Sequence, residues 1–261
     1  MTSSELNSVD RHHGARSLGT GAAAVSPAEA ASPLLLAAAV LLGLVVRSAL
    51  VARVSFPIND GGLFFVMIEE LRRAHFVLPA FTSYNGDTIP YAYPPLGFYV
   101  SALLAEVLGA SVIDLLRLVP VAVGTATIVA FNRLARAMVE PVTAAAATFA
   151  FALVPAAFAW PSMGGGITRG FGLLFTVLAL DQGYRLYVER QAWRVVPTAL
   201  FCGLTVLSHP AYTWCLVYSM ALLWVWFGRD RASSLLSLLV CLGTLVVSAP
   251  WWVTIVVRHG L

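Results

Sequence analysis

This sequence predicts an all-α membrane protein, a polytopic transmembrane bundle of about eight hydrophobic segments. Three observations predict it. The 261 residues are 59% hydrophobic and only 11% charged, where a soluble domain carries roughly 25% charged residues. Apolar runs of about 20 residues, the helical length that crosses a ~30 Å hydrocarbon core, recur along almost the whole chain. The short alternating segments of a β-barrel are missing. A net charge of +3 is small and calls for no nucleic-acid partner. All 16 basic residues are arginine, a compositional bias with no membrane-physical cause.

Residues 1–32, rich in Ser, Ala and Gly with scattered charge, read as a disordered cytoplasmic N-terminus. They are not a cleavable signal peptide, because the polar stretch is long and the apolar segment behind it is long enough to span. The first span is Pro33–Val54, and residues 33–261 form one membrane module. Arg47 interrupts that span about two turns from its end. Snorkelling toward the interface reduces the ~2.5–3.5 kcal/mol insertion cost of a mid-bilayer arginine.

The stretch from Phe56 to Phe98 is the one long polar interruption, and it supplies an extracytoplasmic loop over residues 55–93. Within it Leu63, Phe64, Val66, Met67 and Leu71 recur at helical spacing, with Glu69, Arg72 and Arg73 on a polar side. That pattern predicts a helix at about Gly61–His75 lying in the interface plane, with Glu69 and Arg73 as a solvated i,i+4 pair. The next apolar run opens at Pro94-Pro95, where prolines fit a first helical turn. Further segments follow at about Leu115–Met138, Val142–Trp160, Thr168–Tyr187, Val195–Ser208, Ala211–Phe227 and Leu235–Val257. Small residues inside them allow close packing. Cys202, Cys215 and Cys241 have the spacing of neither a zinc site nor a redox pair, and read as buried free thiols that act as small apolar residues.

Arginine placement sets the orientation. Arg133 and Arg136, then Arg185, Arg190 and Arg194, then Arg229 and Arg231 mark three connections as cytoplasmic. The turns at Gly164–Arg169, at Ser208–Pro210 and near Trp251 then face outside with the 55–93 loop. Two full crossings between that loop and Arg133 would put Arg133 on the wrong side. Either Pro95–Leu108 crosses only partly, or one connection escapes the arginine rule.

Three places carry candidate chemistry. Asp60, followed by Gly61-Gly62, is either an N-cap or a general base or acceptor-orienting carboxylate within reach of a hydroxyl. In WPSMGGGITRGFG, Gly165 and Gly166 lie in a turn that opens a helix with Thr168 and Arg169 in its first turn. Consecutive N–H groups there can form an anion nest, a helix start favours phosphate and arginine binds it bidentately; the plainer reading is a tight interhelical turn. His209, in LSHP, is either a polar cap or a hydrogen-bonding group for substrate or carboxylate. Tyr91 and Tyr93 belong to an aromatic belt or stack on a sugar ring.

Asp60 in PINDGG, the helix Leu63–His75 and YAYPPLGFY at Tyr91–Tyr99 together resemble the GT-C superfamily of membrane glycosyltransferases. Its members include protein O-mannosyltransferases and aminoarabinose transferases. The resemblance implies a multi-pass cell-envelope enzyme of the cell membrane. It would move a sugar, with inversion, from a polyprenyl-phosphate donor to a lipid, glycan or protein acceptor at the extracytoplasmic face. Asp60 would activate the acceptor, Arg169 would hold the donor phosphate, and His209, Tyr91, Tyr93, Gly165 and Gly166 would complete substrate binding. The resemblance fixes no cofactor; a divalent metal ion stays open, although Gly61 stands where many relatives carry a second acidic residue, which weakens a metal-binding reading. Relatives also continue well beyond the equivalent of residue 261, so the resemblance covers an N-terminal module and implies a truncated chain. The rival class is a non-catalytic polytopic protein, either a transporter subunit or a degenerate lipid-binding module. Transporters tend to show internal repeats and midplane polar groups, whereas polar groups here gather at one face.

Overall fold

The computed structural model describes residues 27–57, 59–86 and 88–260; most of the N-terminal segment expected to be disordered lies outside them. The chain is nearly all α-helical. Among the described residues ten α-helices follow in order: α1 (Pro27–Ala52), α2 (Gly61–Arg73), α3 (Leu96–Leu108), α4 (Val112–Met138), α5 (Pro141–Leu153), α6 (Ala159–Ser162), α7 (Ile167–Val188), α8 (Val195–Val206), α9 (Pro210–Phe227) and α10 (Arg231–His259). The strands β1 (Phe81–Thr82) and β2 (Ile89–Pro90) form a minimal antiparallel hairpin in the loop.

Among the described residues, four helices are long and apolar enough to cross a membrane: Ser32–Ala52 of α1, α4, α9 and α10. A fifth span exists if α5 and Pro155–Gly165, bent by 77°, count as one broken unit. The other expected segments differ for identifiable reasons. α3 and α8 have only 13 and 12 residues, roughly 20 Å or less at 1.5 Å per residue. α7 is longer but buries Arg169, Asp181 and Gln182.

The bundle has two polar ends. At one, which we call the loop end, Leu96 N–H donates to Leu207 O at 2.9 Å, and Arg258 Nη1 donates to Leu78 O at 2.7 Å. At the other end lie the arginine connections. Fully buried Asp181 accepts from Arg133 Nε at 2.8 Å and Arg185 Nε at 2.9 Å. Gln182 Nε2 donates to the same carboxylate at 2.8 Å. Arg194 bonds Gln182 and Glu189, and Arg190 reaches Asp230 at 3.2 Å. The three arginine groups inferred to share one side do share one end.

α3 removes the topological conflict, because both its ends lie at the loop end. Gly97 packs against Ile167 at the start of α7, while Glu106, near the other end of α3, pairs with Arg72 of α2. One turn into α4, Leu116 lies against Gly165. Only α4 then runs from the loop end to Arg133.

Four expectations are corrected. The apolar stripe of α2 does not lie open for a membrane interface: Phe64, Met67, Ile68 and Leu71 are buried in a cluster with Phe98, Ala102, Ala105 and Leu115 of α3 and α4. Glu69 pairs with Arg72 rather than Arg73, since i+3 is as close as i+4 on a helix. Arg47 does not snorkel. It is 1% exposed, donates from Nη1 to Gly43 O at 3.1 Å and Ala152 O at 2.9 Å, and lies 5.0 Å from the Phe158 ring centroid. Ala152 sits in the last turn of α5, where carbonyls lack helical partners; the broken span therefore supplies Arg47 with an acceptor. Of the thiols, Cys202 is buried, but Cys215 and Cys241 are exposed on the bundle surface.

Asp181→Ala is expected to lower stability by about 3 kcal/mol, because two arginines lose a fully buried carboxylate. Thermal unfolding in detergent would measure this, with Asp181→Asn less severe since it keeps an acceptor.

Candidate functional site

Asn59, with φ of 80°, turns the chain out of the α1–α2 connection and delivers Asp60 to the N-cap position of α2. The Asp60 side chain makes no capping bond there. Its Oδ2 instead accepts from Arg169 Nη2, 109 residues away on α7. The N-cap reading of Asp60 is thereby corrected: a buried guanidinium is a stronger partner for a carboxylate than a helix N–H.

Arg169 is only 4% exposed, whereas the Asp60 side chain is 34% exposed. The guanidinium has its other contacts fixed. Nη1 donates to Met163 O at 2.8 Å, and the Trp160 ring centroid lies 4.4 Å from Cζ. Nε is buried with no hydrogen-bond partner.

The glycine turn acts by shape. Gly164 and Gly165 have φ of 63° and 71°, the left-handed region that L side chains disfavour. A Cβ on Gly166 would stand 1.8 Å from Pro161 O. The Gly166 N–H is used inside the turn, donating to Met163 O at 3.2 Å, so it does not serve an anion nest. Gly165 and Gly166 are buried; they fold the turn back so that Met163 O meets Arg169. The turn also abuts α2, since a Cβ on Gly61 would be 3.6 Å from Gly164 O.

His209 and Tyr93 lie beside this pair, their rings 6.1 Å apart. Gly172, one turn after Arg169, lets α9 approach: a Cβ there would be 3.1 Å from His209 Cβ and 2.9 Å from the Tyr212 ring. His209 caps α9 by accepting from Ala211 N–H at Nδ1, 3.1 Å. The proton of the neutral ring is then on Nε2, which leaves a donor. Burial, and then the Arg169 charge, push the His209 pKa down to about 4, with Asp60 opposing; the ring is neutral at neutral pH. Burial raises the Tyr93 hydroxyl, with Thr168 and Arg169 opposing. Tyr91 is not part of this group. It is fully buried and donates to Met67 O at 2.9 Å, so no ring face is open to a sugar. Tyr91 is a core residue, because the α2–α3 layer closes over it.

A cavity of about 370 Å³ opens next to the pair, between the ends of α1 and α4 and the glycine turn. Its walls are mostly apolar (Leu50, Val51, Val54, Leu116), with Asn59 and Arg117 as polar members. Among the described residues, no three His, Cys, Asp or Glu side chains converge on a metal position. Asp60 has a cation beside it where the resemblance left room for a second carboxylate. Trp160 was assigned only to an aromatic belt; it is 53% exposed and covers Arg169. No local pattern links it to a residue nine positions on, across two changes of helix direction.

No protein-family model, curated protein or solved structure matches this chain.

Two outcomes follow from the geometry. Gly166→Ala, which drives a methyl into a backbone oxygen, is expected to cost about 3 kcal/mol or more, read as a lower unfolding temperature in detergent. For His209, the unfolded chain takes up its proton near 6.5 and the folded chain near 4. Stability is therefore fully present above pH 6.5 and lost as the pH falls toward 4. His209→Asn, which keeps a capping acceptor, should flatten that part of the pH–stability curve.

Proposed function

We propose that this protein is a GT-C-type glycosyltransferase of the cell membrane, acting on a polyprenyl-phosphate sugar at the extracytoplasmic face. The observation that carries the reading is the Asp60–Arg169 pair at the loop end, beside an apolar cavity. A lipid-linked sugar phosphate needs an apolar enclosure for its tail, a cation for its phosphate and a carboxylate for the incoming hydroxyl. These three occur together here and at one end of the bundle. In this reading the eight hydrophobic segments all belong to the membrane module, the arginine end is cytoplasmic, and α2 and α3 form a layer at the outer interface.

The reaction assigns each group a step. An acceptor hydroxyl attacks the anomeric carbon as the bond from that carbon to the phosphate oxygen breaks, which inverts the configuration. Asp60 takes the hydroxyl proton. Polyprenyl phosphate leaves with its charge matched by Arg169. Neutral His209 donates from Nε2, and Tyr93 offers its hydroxyl and ring edge to the sugar. The buried Gly165 and Gly166 contribute by placing Arg169. The acceptor is a lipid, glycan or protein hydroxyl. A divalent ion is not needed by these steps.

A non-catalytic lipid-phosphate-binding module is the second reading, favoured by the same pair, because the Asp60 carboxylate is already engaged by Arg169. Transfer decides between them. With radiolabelled polyprenyl-phosphate sugars and membranes containing the full chain, Asp60→Asn is expected to reduce transfer by about 10²–10⁴-fold, the usual worth of a general base, while the protein still inserts and folds. Turnover like that of the wild type would remove Asp60 from the base role. Absence of transfer by the wild type with every donor tried would favour the binding module.

A further inference from the structure

We infer that Asp60 and the phosphate of the donor compete for Arg169, so that donor binding releases the carboxylate. This rests on the lipid-phosphate reading above and concerns the order of events at that site. Arg169 can serve one anion. Its Nη1 is held by Met163 O, the Trp160 ring covers one face, and Nε is enclosed without a partner. Only Nη2, now on Asp60, reaches toward the partly exposed side of the pair. Asp60 is the one carboxylate that Arg169 pairs with among the described residues. A single buried positive charge cannot balance a carboxylate and a phosphate together, and the like charges would repel.

Asp60 also has somewhere to go. Its own helix begins without a side-chain cap, and aspartate is among the best N-cap residues. Asn59 precedes it in a left-handed conformation and α2 begins directly after it, so rotation of the Asp60 side chain alone moves the carboxylate between Arg169 and the start of α2. In the ligand-free state the Asp60 carboxylate is engaged by Arg169. With phosphate on Arg169, the carboxylate turns toward the N-terminus of α2 and the solvent side, where an acceptor arrives. The carboxylate is released for the acceptor only when the donor is present.

The two binding events then carry an unfavourable coupling, and removing the carboxylate charge must tighten phosphate binding. Farnesyl phosphate, with farnesol as the uncharged control, would be titrated calorimetrically into the full chain in detergent. Asp60→Asn and Asp60→Ser are each expected to bind farnesyl phosphate more tightly by on the order of 5–150-fold, with farnesol unchanged. Arg169→Gln should lose farnesyl phosphate binding. In the wild type, farnesyl phosphate should increase carbodiimide labelling of Asp60, read by peptide mass spectrometry, which needs no variant to fold. Equal or weaker binding by the Asp60 variants, or protection of Asp60 from labelling, overturns the competition and leaves the lipid-phosphate site standing. No binding by wild type or Asp60 variants overturns both.

Discussion

A guanidinium that is nine-tenths buried must find an anion or enough oxygen acceptors, because its desolvation is not repaid otherwise. Arg169 is such a group, and the loop end is organised around it. The glycine turn brings Met163 O to Nη1, and Trp160 covers the guanidinium face. Asn59 brings Asp60 to Nη2 at the start of α2. Moving any of these would leave charge buried without a partner. The connection after α1, the glycine turn and α7 are thereby held in register across 109 residues of sequence.

Arg47 shows the same demand met only in part, at Nη1, since its Nε and Nη2 are buried without hydrogen-bond partners. It has no carboxylate and lies on backbone oxygens at Gly43 and Ala152. The bend after α5 would otherwise leave a last-turn carbonyl unpaired, which hydrocarbon tolerates poorly. The break supplies acceptors to the arginine, and the arginine supplies a donor to the break. Gly43 and Gly124 provide the space, since a Cβ at either would come within about 3.1 Å of the guanidinium. At the opposite end, Asp181 gathers two arginines and Gln182 into one network that joins α4 to α7, and Arg194 extends it to the start of α8. Charged residues in this chain are therefore links between helices.

The α2–α3 layer explains how a polar site sits against an apolar bundle. α2 buries Phe64, Ile68 and Leu71 against α3, and both ends of α3 stay at the loop end. The layer closes over Tyr91 and leaves Tyr93 at its edge, 5.7 Å from Phe64 and 6.1 Å from His209. Two tyrosines two residues apart thus take different roles, because the irregular segment between β2 and α3 turns one into the core and leaves the other at its edge. The apolar cavity lies to the side of this layer, between the end of α1, the start of α4 and the glycine turn.

Composition and period determined that the chain is helical and largely apolar, and where its segments begin. Arginine placement sorted the connections into two ends, because charges resist burial wherever they occur. Asp60, Arg169 and His209 were also legible as polar groups at helix starts. Their association was not, since the Asp60 alternatives, cap or partner, differ only in which distant group arrives. Likewise the α2 stripe signals an apolar neighbour without saying whether it is lipid or α3, and Arg47 signals a cost without naming its acceptor. Length and periodicity are local properties that a sequence carries in full. The choice of partner for a buried charge depends on which backbone oxygens and side chains the fold brings within about 3 Å, and only the tertiary structure decided it.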